Sequence, residues 1–173
     1  MNRLFCAAVL ACCAVIAGCG YHPVGSPAHL PSTARTLAVP VFENTTQSYH
    51  TEVAFTQAVV REFSSRTPYR LVAGNDPDAD VTLKGTITAF QATPLTYNSQ
   101  TGQSSSFVIT IKARVTLVGR NGKVLYRNPS YLFRQQYETT GDLASFIQED
   151  SPAVQRLARD FARAVVSDIL ESF

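Results

Sequence analysis

The strongest constraint in this chain is a period of two. From Phe107 to Val118, Phe107, Ile109, Ile111, Ala113, Val115 and Leu117 alternate with Val108, Thr110, Lys112, Arg114, Thr116 and Val118. Such a pattern sits still only as a half-buried antiparallel strand, with one face on a core and the other facing water or a partner. Asn121-Gly122 follows and predicts a two-residue type I′ hairpin turn. That turn pairs Val118 with Leu125, Leu117 with Tyr126 and Thr116 with Arg127. Continued strictly, the same register points Arg134 inward and Tyr131 and Phe133 outward, so a bulge near Pro129 is expected to reset the face. Asp80 to Phe90 shows a second alternation, with Val81, Leu83, Gly85, Ile87 and Ala89 on the core side.

Helical periodicity brackets these strands. Phe55, Ala58, Val59 and Phe63 form a buried stripe over Glu52–Arg66, with Glu62 at its margin, a cap at Ser48 or Thr51, and a stop at Thr67-Pro68. Val154, Leu157, Ala158, Phe161, Ala162, Val165, Ile169 and Phe173 form a longer stripe, capped at Ser151 with Pro152 in the first helical position. This helix is expected to cover the sheet and not to lie on a membrane. Thr36–Phe42 reads as an edge strand or strand end because of Pro40, and Tyr69–Val72 as a short strand before the turn at residues 74–78. Thr93 to Ser106 is polar, lacks Lys and Arg, and reads as a projecting loop. The expected fold is α+β, a two-layer sandwich of about four antiparallel strands with two helices on one face.

The first 18 residues are of another kind. Met1-Asn2-Arg3 precedes an apolar run from Leu4 to Gly18, a secretory signal pattern too short to span a bilayer. Ile16-Ala17-Gly18-Cys19 resembles the lipobox of bacterial lipoproteins, which implies cleavage before Cys19 and acylation of its thiol. Cys6, Cys12 and Cys13 lie in the segment to be removed, so Cys19 is the one thiol left and no internal disulfide is expected. Gly20 in place of an Asp points, by resemblance, to the outer membrane. The division is a signal peptide over 1–18, an acylated tether over 19–35 and one domain over 36–173.

With 15 Lys and Arg against 13 Asp and Glu in 173 residues, the formal charge is +2, which speaks against a polybasic nucleic-acid binder. No catalytic constellation is present: no G-x-S-x-G, no phosphate-cradling glycine loop, no H-E-x-x-H and no Cys pair. His22 and His29 lack further ligands at metal-site spacing, and Asp76-Pro77-Asp78 lacks the carboxylate spacing of a calcium loop. No enzymatic activity, metal or cofactor is expected.

Cys19-Gly20-Tyr21-His22-Pro23, Leu30-Pro31-Ser32, Leu37–Phe42 and the paired strands through Asn121-Gly122 to Tyr137 together resemble the outer-membrane lipopolysaccharide-assembly lipoproteins of the LptE family. The resemblance implies a lipid-anchored protein on the periplasmic side of the outer membrane. It would seat in the LptD β-barrel and assist lipopolysaccharide delivery to the outer leaflet. Family members are also linked to lipopolysaccharide binding through basic residues near the sheet loop and the C-terminal helix; the loop here, without a basic residue, departs from that pattern. Lys84, Lys112, Arg114 and Arg127 on the expected outward face, with Arg156 on the last helix, are the candidates for lipid A phosphates; the plainer reading is a solvated sheet face. Thr36–Asn44 also resembles the first strand of the CsgG and LpoB lipoproteins, which leaves a scaffold or regulator of a cell-wall or secretion complex as the alternative.

Overall fold

The computed structural model describes residues 30–31, 33–97, 104–138 and 152–171. The signal segment, Cys19, the proposed cap at Ser151 and the end of the last stripe at Phe173 lie outside them. The order is β1 (Thr36–Ala38), β2 (Glu43–Asn44), α1 (Thr51–Arg66), β3 (Arg70–Val72), β4 (Val81–Tyr97), β5 (Ser104–Gly119), β6 (Val124–Glu138) and α2 (Pro152–Leu170).

The α+β class holds, but the sheet is mixed and larger than four antiparallel strands. Its six strands run β3-β1-β4-β5-β6, with β2 also on β4. β1 pairs in parallel with both β3 and β4, and β2 pairs in parallel with β4. Parallel neighbours need a crossover connection, and α1 supplies the one between β1 and β3. Pro40 ends β1 as expected, yet β1 is an interior strand, not an edge. Past the proline the chain lifts off the sheet, and the Phe42 amide donates to Thr56 Oγ1 on α1 at 2.9 Å. Phe42 then lies flat on Gly85, where a Cβ would stand 2.5 Å from its ring.

The first turn of α1 departs from the expected cap. His50 occupies the N-cap position in left-handed backbone (φ 62°) without a side-chain cap, and its carbonyl accepts from the Val53 and Ala54 amides. Asn44 organises the approach, its amide reaching Ser48 O at 2.6 Å and Glu52 Oε2 at 2.7 Å. The helix stops at Thr67, which is extended before Pro68.

Both helices lie on one face, and α2 buries the expected stripe plus Ala153 and Val166. Phe161 is its hub: its ring stands 5.1 Å from Phe55, 5.6 Å from Tyr131, 5.8 Å from Phe133 and 6.1 Å from Phe42, centroid to centroid. Full burial of each such side chain stabilises the fold by about 1.5–3 kcal/mol. Leu30, within the segment read as tether, is 4% exposed and packs on this core. No described helix is long and apolar enough to cross a membrane.

Asp80 ties the entry of β1 to the sheet. It accepts from the Arg35 amide at 2.9 Å, the Thr36 amide at 3.0 Å and the Thr36 hydroxyl at 2.9 Å. Those bonds, led by the one from Arg35 and aided by the nearby Arg120 guanidinium, hold its pKa below the ordinary carboxylate value.

A basic outer face as the candidate functional site

The face of the sheet turned away from the helices is built by register. Thr116 pairs with Lys84 on one side and Arg127 on the other, so a row Lys84–Thr116–Arg127 crosses three strands. The next row is Thr86–Arg114, then Ala89–Lys112–Leu132, then Gln91–Thr110–Arg134. With a rise of about 3.4 Å per residue, these rows place Lys84, Arg127, Arg114, Lys112 and Arg134 along a track roughly 20 Å long. All five side chains are exposed. Among the described residues none of the five is in an ion pair; the described pairs join Arg66, Arg120 and Arg163 to carboxylates elsewhere. Glu43 sits at the margin, accepting from Thr86 Oγ1 at 3.2 Å. The arrangement can hold an anion with several negative groups, because Lys and Arg without carboxylate partners remain available to phosphate.

Two bulges decide which residues reach this face. In β6 the register jumps between Ala113↔Tyr131 and Val115↔Asn128, so Pro129 and Ser130 together face Arg114. This is the bulge expected near Pro129. It buries Tyr131 to 7% exposure, turns Phe133 onto the core and exposes Arg134. The Tyr131 hydroxyl seals the reset by donating to Asp168 Oδ2 of α2 at 2.6 Å, with Tyr126 OH 2.6 Å away. Burial and the Asp168 bond raise the Tyr131 pKa, so this hydroxyl keeps its proton. The second bulge, at Thr88 in β4, has no glycine or proline to announce it. It moves Ala89, expected on the core side, opposite Lys112 on the outer face and puts Phe90 inward against Ile111.

The structure thus brings Lys84, Lys112, Arg114 and Arg127 together and leaves Arg156 apart. Arg156, on the other layer, lines an open depression with Gln136, Tyr137 and Pro152 at the margin of β6. Arg134 takes its place, a residue that the bulge argument already turns outward and that the candidate set omits. The expected hairpin turn is also revised. Gly122 N–H bonds to Gly119 O and Gly119 N–H to Lys123 O, with Gly122 alone at positive φ (78°), a type I turn closed by a left-handed glycine. Leu117↔Tyr126 and Thr116↔Arg127 pair as expected, whereas Val118 meets Val124 instead of Leu125. Most of the stretch 93–106 is strand, since β4 runs to Tyr97 and β5 begins at Ser104; 98–103 lie outside the described residues. Among the described residues no group of His, Cys, Asp or Glu is arranged to hold a metal.

The family model described as LptE, lipopolysaccharide-assembly, matches residues 34–169, from the entry of β1 to the last turn of α2. The chain belongs to the LptE family. Solved structures carry the same fold at low identity. Lipoprotein B from Nitrosomonas europaea superposes with a TM-score of 0.54 at 11% identity, over 87% of this chain and 90% of that one. The rare lipoprotein B from Shewanella oneidensis gives 0.50 at 12%, over 77% and 92%. No curated protein sequence matches the chain. In this LptE-family chain the sheet therefore carries its exposed cations on the side opposite the helices.

Proposed function

We propose that this protein is a non-enzymatic outer-membrane lipoprotein, acylated at Cys19, that seats in an LptD-type β-barrel and assists lipopolysaccharide delivery to the outer leaflet. The observation that carries the reading is the family match across all six strands and both helices. The lipobox-like Ile16–Cys19 and the similarity in fold to solved lipoproteins support the anchor. Lys84, Lys112, Arg114, Arg127 and Arg134 are the residues assigned to lipid A phosphates, because they form one exposed track without carboxylate partners. A small domain whose apolar side is sealed by its own helices offers a polar sheet face to a water-filled lumen.

The test is capture of the tagged full-length protein from detergent-solubilised envelopes. An outer-membrane β-barrel should co-purify. Recovery of a peptidoglycan synthase or a secretion pore without the barrel contradicts the reading and favours the scaffold alternative.

A further inference from the structure

Among the described residues β4 has partners on both sides only as far as Ile87: β1 covers Val81–Thr82 and β2 covers Thr86–Ile87, while beyond them β5 alone of the described strands follows β4. From Gln91 to Thr96 every residue of β4 is exposed, including those pointing to the helix side. Thr45 N–H bonds to Ile87 O on the β2 side, and Thr88 Oγ1 donates to Lys112 O on the β5 side at 3.3 Å. The alternation of an antiparallel ladder then turns the N–H and C=O of Phe90 and Ala92, and the C=O of Pro94, toward the open side. Edge strands are ordinarily guarded by charge. Here Gly85 to Ile111 carries no acidic or basic side chain.

We propose that the open edge of β4, over Ala89–Thr93, pairs with the same edge of a second copy of this chain, antiparallel about a twofold axis at Gln91. An occupant must bring an extended, uncharged strand with matching free N–H and C=O groups, and the second copy's β4 is such a strand. Pro94 selects the register. Centred on Gln91, Phe90 of each copy faces Ala92 of the other, and each such pair exchanges both its N–H···O=C bonds. Centred on Ala92, Phe90 would face Pro94, which has no N–H to donate. The axis lies across the sheet, so the interface is isologous and the two basic outer faces continue one another on the same side. The register shifts at Leu95 and between Thr96 and Tyr97 fall where the strand would reach the level of the partner's β2, and irregularities of this kind bend a strand. Nothing in this pairing depends on the barrel reading.

The pairing opposes Gln91 to Gln91 with Cβ atoms about 5 Å apart, so a charge there acts on itself. The experiment is sedimentation of the full-length protein, purified without other proteins, in detergent with micelles in large excess. Wild type is expected to dimerise reversibly. Gln91→Lys and Gln91→Glu are each expected to weaken dimerisation by roughly tenfold or more, and their equimolar mixture to restore it as a heterodimer. A monomeric wild type at the highest soluble concentration overturns the proposal. So does a dimer that ignores both charges, or a mixture no tighter than either variant alone.

Discussion

The two halves of β4 show how the same strand serves different ends. Below Ile87 it is flanked by β1 and β2 on one side and β5 on the other, and its inward residues Val81, Leu83 and Ile87 are fully buried. Above Thr88 it has β5 alone among the described residues, and Leu95 is 50% exposed. The helices explain the change. On the β5–β6 side the inward residues Ile109 and Phe107 stay buried at the level where Ala92 and Pro94 of β4 are exposed. Stability is therefore concentrated in the lower half and the β5–β6 side, and the upper half of β4 is left for contact.

Substitutions that sharpen this contrast span a wide range. Phe161→Ala, at the hub of the covered region, should cost about 3–5 kcal/mol in denaturant unfolding and threaten the fold at physiological temperature. Tyr131→Phe removes the hydroxyl that bonds Asp168 and should cost roughly 1.5–3 kcal/mol, with the backbone register of β6 kept. Asp80→Asn should lower the melting temperature by less, and with a defined pH dependence. The folded pKa of Asp80 is lowered, so its stabilisation is complete above the ordinary carboxylate pKa and is lost as pH falls through the folded value. The gap between wild type and variant should thus close in acid; a gap that widens there contradicts the clamp. Leu95→Asn, in the overhang, should change stability by no more than about 0.5 kcal/mol. A loss as large as that of Tyr131→Phe would show that the upper half of β4 is structural after all.

What could be read in advance follows the physics of each element. The two helical stripes and the β5 alternation are local periodicities, so they were legible, as was the bulge that Pro129 announces. The parallel pairing of β1 depends on where a crossover returns, a tertiary event that no local pattern encodes. The bulge at Thr88 has no marker residue, so alternation alone puts Ala89 on the core side, whereas it lies on the outer face opposite Lys112. Stretch 93–106 reads as a loop because polar Thr, Ser and Gln mark one by composition, whereas Thr93 and Thr96 lie on a strand whose described residues there are exposed on both faces. The basic track was legible apart from Arg134, since four of its members follow from alternation alone. Charge alone groups Arg156 with them, though its helix belongs to the other layer.

The proposed role of the outer sheet face rests on its charge. Its most direct test is binding of purified lipopolysaccharide to the full-length protein, wild type against Lys112→Glu/Arg114→Glu, with unfolding measured on both. Binding is expected to weaken by about tenfold or more and to become less sensitive to salt, with stability unchanged. Equal binding by the two equally stable proteins would contradict it.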